Sequence, residues 1–150
     1  MFLEKDKFLE IINNTPLVSI DLIVKNEKNE VLLGLRKNKP AQGYWFVPGG
    51  RILKNEKIKD ALSRISKTET GLEIDITKAK LLGVYDHIYN DNFAGSYGIN
   101  THYVVIAFEI NLNQSVNPIK DSQHDLYQWW KIDHLLLDNM VHLNTKNYFQ

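Results

Sequence analysis

The stretch from residue 50 to 72 constrains the fold most, because it predicts an amphipathic helix that carries a carboxylate on its apolar face. Asn55 belongs to a residue type that caps helices, and Gly71 suits the left-handed position beyond a helix end. We therefore predict a helix that begins at Glu56 and is stopped by Gly71. Its apolar residues recur at three- and four-residue spacing: Ile58, Ala61, Leu62 and Ile65. Glu69 falls on the same stripe, where its charge has to be neutralised or met by a cation.

Length and composition indicate one globular domain. The chain has 150 residues, 43% of them hydrophobic, with no break in composition. Its formal net charge is zero, so we expect neither a nucleic-acid nor a membrane partner. Because cysteine is absent, disulfides and thiolate metal sites are excluded. No apolar run approaches membrane-spanning length and no leader is evident, so we expect a soluble cytoplasmic protein.

Apolar patterning predicts mixed strands and helices along the rest of the chain. The predicted strands are Leu17–Lys25, Val31–Leu35, Tyr44–Val47, Ala79–Tyr89, Thr101–Ile110 and one containing Trp129 and Trp130. The nearly continuous apolar run of the fifth strand indicates an interior position in the sheet. The predicted helices are Phe2–Asn13, His134–Leu137 and Val141–Phe149. For the first of these helices, docking on the domain's own core is favoured over a dimer contact.

Turn-forming residues separate these elements. Asn26–Asn29 predicts a hairpin turn, and Pro48 followed by two glycines predicts a tight turn with close backbone approach. A polar connection is expected over residues 111–122. The loop over residues 90–98 combines turn formers with aromatic residues, a composition typical of binding loops.

The spacing of Gly50, Glu56, Arg64, Glu69 and Gly71 resembles the Nudix box, a loop-helix-loop motif of hydrolases that act on nucleoside diphosphates linked to another group. Two positions that the motif usually gives to glutamate are occupied by Ile65 and Thr68. The resemblance implies an α/β fold, a Nudix-type α/β/α sandwich with a mixed β-sheet, spanning residues 1–150 as a single Nudix hydrolase domain. It also implies a sparser set of metal-binding carboxylates than the motif normally provides.

Further segments narrow the resemblance to the GDP-mannose mannosyl hydrolase branch of the Nudix family. They are Thr-Pro-Leu-Val-Ser from Thr15, the run from Pro40 to Arg51, Asp91-Asn-Phe, Thr101-His-Tyr-Val-Val and Gln123-His-Asp. That branch lacks the same two glutamates. The resemblance implies hydrolysis of a GDP-hexose, GDP-mannose or GDP-glucose, to GDP and free sugar by inverting attack of water at the anomeric carbon.

The same resemblance implies roles for individual residues. One Mg²⁺ per subunit would be bound by Glu69, Gln123 and the Gly49 carbonyl. His124 is the candidate base, because neutral imidazole can accept a proton at cytosolic pH. The residues implied to stabilise the departing GDP are Arg36, Arg51 and Tyr103. Asp21 and His87 are expected to contact the sugar or the leaving group. We also count Tyr89, Phe93, Phe2, Phe8 and Tyr127 among the candidate substrate-binding residues.

Several alternatives stay open at this point. Asp21, in mid-strand, is as consistent with pairing to a cation of the fold as with binding a ligand. For Arg64, an ion pair with Glu56 or steering of Glu69 is at least as plausible as contact with phosphate. The chain could instead be a Nudix pyrophosphatase that uses a single Mg²⁺, or a nucleotide-sugar sensor without turnover. Homodimerisation is an expectation from the family.

Overall fold

The structure is a computed structural model that describes residues 3–113 and 124–150, with residues 124 and 125 described by their backbone. Its helices are α1 (Lys5–Asn14), α2 (Ile58–Thr70), α3 (Ile132–Leu137) and α4 (Leu143–Lys146). Its strands are β1 (Leu17–Lys25), β2 (Val31–Arg36), β3 (Trp45–Phe46), β4 (Gly49–Arg51), β5 (Lys80–Tyr89), β6 (Thr101–Asn111) and β7 (His124–Trp130). Phe2, Gln123 and most of the predicted connection at 111–122 lie outside the described residues.

The strands form one mixed seven-stranded sheet. Its main path runs β3-β2-β1-β6-β5, while β4 pairs with β1 and β7 pairs with β2. β1 and β6 are parallel in register from Leu17 opposite Tyr103 to Lys25 opposite Asn111, and β5 is antiparallel to β6. β6 therefore lies inside the sheet, as its apolar run predicts.

Apolar residues cover both faces of the sheet, which confirms the predicted α/β fold with a mixed sheet. On one face, buried β1 residues pack against α2 in a cluster that includes Ile20, Leu22, Val24, Ala61, Leu62 and Ile65. On the other face, Ile23 and Ala107 pack against Leu135, Val141 and Tyr148 from the C-terminal segment. Ile20, Leu22 and Val24 thus lie on one face of β1 and Ile23 on the other, because adjacent residues of a strand point to opposite faces. No helix within residues 3–113 and 124–150 has both the length and the apolar character needed to cross a bilayer.

The start of α2 differs from its prediction. Asn55 does not cap the helix but takes a left-handed conformation with φ 66°. Glu56 also precedes the helix, which begins at Ile58, because its carboxylate is held by hydrogen bonds to Arg64. The end agrees with the prediction, since Gly71 has φ 75° and its amide closes the helix on the Lys67 carbonyl.

The predicted tight turn at Pro48 is also wrong. Gly49 to Arg51 is instead the extended strand β4, because its backbone pairs with Ser19 to Asp21 of β1. A Cβ at Gly49 would collide with the Asp21 carboxylate and would lie 2.7 Å from the Ile20 carbonyl oxygen. The predicted close approach of the backbone is therefore present, and glycine permits it because it has no Cβ. The terminal helix is shorter than predicted and covers only Leu143–Lys146.

Candidate active site

A cavity of about 460 Å³ is lined by residues of β1, β4, β5 and β6, together with residues of neighbouring segments. It collects most of the predicted catalytic and substrate-binding side chains, namely Phe8, Asp21, Arg36, Arg51, His87, Tyr89, Phe93 and Tyr103, together with Gly49. Its described lining carries three cationic side chains, those of Arg36, Lys39 and Arg51, against the carboxylate of Asp21. A cavity of this size with aromatic walls and a cationic excess suits a small anionic ligand that has an apolar or stackable part.

Both arginines are held in place by their surroundings. Arg36 donates from Nε to the Pro40 carbonyl at 2.9 Å and its guanidinium lies 6.0 Å from the Phe46 ring centroid. The Arg51 guanidinium lies 4.7 Å from the ring centroid of Phe8 in α1, and Phe8 contacts Phe93 at 5.0 Å between centroids. α1 therefore packs on the domain, with Phe8 in the cavity lining and Ile12 in the core, in agreement with the predicted docking on the domain's own core. Guanidinium groups fixed in this way are preorganised donors for phosphate oxygens.

Asp21 and His87 meet at a tyrosine that the sequence analysis did not select. The Tyr148 hydroxyl lies 2.6 Å from Asp21 Oδ2 and 3.3 Å from His87 Nε2. Burial raises the pKa of Asp21 to about 7, although the Tyr148 hydrogen bond and the charge of Arg36 oppose that shift. Burial lowers the pKa of His87 to about 4, so its imidazole is neutral near pH 7. The mid-strand aspartate thus contacts polar groups at the cavity, and neither of its two sequence-level interpretations accounts for Tyr148.

The raised pKa of Asp21 predicts a pH-dependent cost in stability. Between about pH 4 and pH 7 the folded state keeps a proton that the unfolded state has lost, so the free energy of unfolding falls as pH rises. Replacing Asp21 by asparagine removes this dependence. Relative to the wild type, we expect the variant to gain on the order of 4 kcal/mol across this window, measured by urea unfolding at several pH values.

The Asp133→Asn change, which makes the same chemical replacement at an exposed position, provides the matched control for this experiment. His87 is present in all three proteins, so its own titration cancels to first order in the comparison. An Asp21→Asn offset that stays constant from pH 4 to pH 7 would contradict the assignment.

Aromatic residues form the remaining wall of the cavity. Tyr89 and Tyr103 meet with ring centroids 6.4 Å apart, and burial raises the pKa of both hydroxyl groups. His142, which the sequence analysis also missed, stacks on Phe46 at 4.8 Å and lies 5.5 Å from Tyr89. Its position at the start of α4 gives no sequence signal beyond a histidine before a short helix. Phe46, Tyr89 and Tyr103 bring β3, β5 and β6 to this wall, and His142 packs on two of these rings without being part of the described lining.

Glu69 lies on α2 and is 4% exposed. Its Oε2 accepts a hydrogen bond from the Tyr127 hydroxyl at 3.2 Å, and its charge acts on Arg64. Tyr127, a candidate for substrate binding, bonds to this carboxylate and is absent from the described lining of the cavity, as is Glu69 itself. β4 contacts both the cavity and α2, since its residues Gly49, Gly50 and Arg51 line the cavity. A Cβ at Gly50 would lie 3.1 Å from Ile65 of α2, one turn before Glu69.

These residues fit a hard divalent cation in the chemistry of their donors. A buried carboxylate, a backbone carbonyl at Gly49 and an amide at Gln123 are all oxygen ligands of the type that Mg²⁺ prefers. Among the side chains that the structure describes, no group of three His, Cys, Asp or Glu residues suits a metal ion. Gln123 itself lies outside the described residues.

His124 is the first residue of β7, and its backbone pairs with that of Arg36. Its side chain lies outside what the structure describes. On the same strand, Tyr127 pairs with Gly34 across a register shift and reaches Glu69. β7 therefore connects the arginine at the cavity with the carboxylate on α2, and the candidate base begins this strand.

Arg64 pairs with Glu56, one of the three roles that the sequence left open for it. Its Nε and Nη2 donate to the Glu56 carboxylate at 2.7 and 2.9 Å, and Nη2 also donates to the Arg51 carbonyl at 2.8 Å. The pair lowers the pKa of Glu56 and raises the pKa of Arg64, in both cases chiefly through this hydrogen bond. Arg64 thereby fixes the backbone of Arg51, whose side chain lines the cavity.

Replacing Arg64 by alanine is expected to lower the free energy of unfolding by about 1 kcal/mol. The geometry is that of a strong bidentate pair, but the Arg64 side chain is 39% exposed and solvent screens it. Urea unfolding at fixed pH provides the measurement. Lys67→Ala, which removes the pair with Glu73 between side chains that are 68% and 74% exposed, is the matched control and should change stability by less than about 0.5 kcal/mol. Equal effects of the two substitutions would contradict a special role for Arg64.

Known proteins resemble this chain in sequence and in fold. The low-salt glycan biosynthesis protein Agl8 of Haloferax volcanii is 43% identical over 120 residues, covering 79% of this chain and 73% of the relative. An ADP-ribose pyrophosphatase of Methanocaldococcus jannaschii is 44% identical over 71 residues, covering 47% of this chain and 40% of the relative. In fold, the MutT protein of Methanosarcina mazei matches with a TM-score of 0.73 at 20% identity, covering 91% and 92% of the two chains.

The family assignment follows from these matches. A family model described as the NUDIX domain matches residues 15–149, which include every described strand, helix α2 and the segment from Gly50 to Gly71. The fold and the spacing of the box agree with this match. This chain therefore belongs to the NUDIX family of hydrolases.

Proposed function

We propose that this chain hydrolyses a GDP-hexose, GDP-mannose or GDP-glucose, to GDP and free sugar with the assistance of one Mg²⁺. The observation that carries the proposal is the cavity in which Arg36, Arg51 and Tyr103 face Asp21 and His87 across aromatic walls. The two fixed guanidinium groups suit a diphosphate, and the polar pair suits sugar hydroxyl groups. The glycan-related name of the Haloferax relative supports a sugar-containing substrate.

The proposed reaction differs from pyrophosphate cleavage in the bond that breaks. Water attacks the anomeric carbon, the bond from that carbon to the phosphate oxygen breaks, and its electron pair leaves with GDP. Because phosphate oxygens are weak bases, the leaving group needs no proton donor, unlike the alcohol released by most glycosidases. His124 is proposed to take the proton from water, while Arg36, Arg51 and Tyr103 stabilise the charge left on GDP.

Glu69, the Gly49 carbonyl and Gln123 are proposed to bind the cation. Bound there, it would neutralise charge on the diphosphate and so make GDP a better leaving group. Tyr127 orients the Glu69 carboxylate through the hydrogen bond from its hydroxyl group. A site with one carboxylate is sufficient for this task, because attack at carbon does not require a metal to activate the nucleophile.

A second candidate is cleavage of the pyrophosphate bond, favoured by the similarity to a protein named ADP-ribose pyrophosphatase. Incubation with GDP-mannose, GDP-glucose, ADP-glucose and ADP-ribose, followed by chromatography of the products, separates the two. The proposal expects GDP and hexose from the GDP-sugars. Formation of GMP and hexose 1-phosphate would support the pyrophosphatase instead.

Homodimerisation is also proposed. β5 lies at the edge of the sheet and exposes apolar side chains, with Leu81 57%, Val84 63% and Ile88 60% accessible. Exposed apolar edge strands are unfavourable in a monomer and are commonly covered by a partner. Sedimentation equilibrium of the whole chain tests this, and a monomer at micromolar concentration would contradict it.

A further inference from the structure

We propose that Tyr148 is a positioning residue of the active site, whose hydroxyl group fixes the Asp21 carboxylate and sets the tautomer of the His87 imidazole. The inference rests on the proposed function for its consequence in catalysis. Its structural basis is independent of substrate and lies in the contacts that Tyr148 makes with two residues of the cavity wall.

The chemistry of Tyr148, Asp21 and His87 fixes the direction of the hydrogen bonds between them. A phenol has one proton to donate, and the Asp21 carboxylate can only accept when it is ionised, as it is at about pH 8. The shorter contact, 2.6 Å from the Tyr148 oxygen to Asp21 Oδ2, is therefore a hydrogen bond donated by tyrosine. At 3.3 Å from the same oxygen, His87 Nε2 must then donate its own proton to it.

These hydrogen bonds determine which polar atoms of His87 and Asp21 remain available to a ligand. With the proton on Nε2, the neutral ring of His87 has Nδ1 as its acceptor. Asp21 Oδ2 accepts the hydrogen bond from Tyr148, and Oδ1 packs beside Gly49, in space that a side chain at that position would need. Asp21 and His87 both line the cavity. A ligand there would meet a carboxylate of fixed orientation and an imidazole that accepts a hydrogen bond.

The hydrogen bonds of the Tyr148 hydroxyl group can be tested separately from the packing of its ring. The Tyr148 ring is buried in the second core cluster and meets Tyr85 edge-on, with centroids 4.9 Å apart and planes at 88°. Replacing Tyr148 by phenylalanine keeps this ring and removes only the hydroxyl group. Tyr85→Phe makes the same deletion on the neighbouring ring and is the matched control.

Two readouts test the inference. The first is ¹⁵N NMR of the histidine side chains without substrate at about pH 8, above the ordinary pKa of carboxyl and imidazole groups, with His87 assigned by its loss in a His87→Gln variant. The wild type and Tyr85→Phe are expected to show the Nε2–H tautomer. Tyr148→Phe is expected to lose that preference. Finding the Nδ1–H tautomer in the wild type, or no change in Tyr148→Phe, would overturn the inference.

The second readout is steady-state kinetics with the GDP-hexose. Loss of a hydrogen bond to a charged group is expected to lower kcat about tenfold to a hundredfold, with KM changed less than about threefold. Tyr85→Phe is expected to stay within about twofold of the wild type. A kcat for Tyr148→Phe equal to that of Tyr85→Phe would overturn the catalytic consequence. If the wild type hydrolyses no GDP-hexose, the proposed function fails, and the tautomer measurement still decides the role of Tyr148.

Discussion

Replacing Glu69 by glutamine is expected to lower kcat for a GDP-hexose by about a hundredfold or more. The substitution conserves shape and leaves an amide oxygen that can accept the hydrogen bond from Tyr127, so only the charge is removed. That charge is the single acidic ligand proposed for the cation, and charge stabilisation by a metal amounts to several kcal/mol, or about 10² to 10⁴ in rate.

The same variant should also bind Mg²⁺ more weakly. We expect the half-saturating Mg²⁺ concentration to rise at least about tenfold, because a neutral amide attracts a divalent cation far less than a carboxylate does. Glu73→Gln removes a charge whose side chain is 74% exposed, in the loop just beyond α2, and is the matched control. Its kcat and its Mg²⁺ dependence should remain those of the wild type. Equal activity of Glu69→Gln and the control would remove Glu69 from the site.

Replacing His124 by glutamine is the second large expected effect. General-base catalysis contributes about 10² to 10⁴ in rate, so kcat should fall by this factor while KM changes little. The plot of log kcat against pH should also lose the ascending limb that reports deprotonation of the base. The assignment comes from the resemblance, and the pairing of His124 on β7 with Arg36 places its backbone beside a residue of the cavity lining.

His102→Gln is the matched control for this experiment. The His102 imidazole lies on β6, 3.1 Å from the Asp86 carboxylate, and is not part of the described cavity lining. Its replacement should leave both kcat and the pH profile unchanged. A loss of less than about threefold in His124→Gln would remove His124 as the base.

Local patterns predicted the elements of this fold well because each pattern reflects a local cause. The apolar alternation from Leu17 to Lys25 matches β1 at both ends, and Gly71 ends α2 by a conformation that only a few residue types adopt easily. The start of α2 was wrong because an ion pair between Glu56 and Arg64, eight residues apart, competes with a regular first turn. The strand at Gly49 was missed because its pairing partner lies thirty residues earlier in β1.

The residues of the candidate site were likewise predicted only in part. Motif spacing and resemblance identified Arg36, Arg51 and Tyr103, and the structure brings them to one cavity. Tyr148 and His142 were missed because their contacts depend on how the C-terminal segment crosses the sheet, which no local spacing encodes. The raised pKa of Asp21 could not be predicted from the sequence either, because burial, its main cause, is a property of the assembled fold.

The proposed function requires that water attacks the anomeric carbon and not a phosphorus atom. Hydrolysis of GDP-mannose in ¹⁸O-labelled water, with mass spectrometry of the nucleotide product, tests this directly. We predict GDP that carries no label, because the new oxygen enters the sugar at the anomeric carbon. Label in GDP, or release of labelled GMP or hexose 1-phosphate, would place the attack on phosphorus and contradict the proposed reaction.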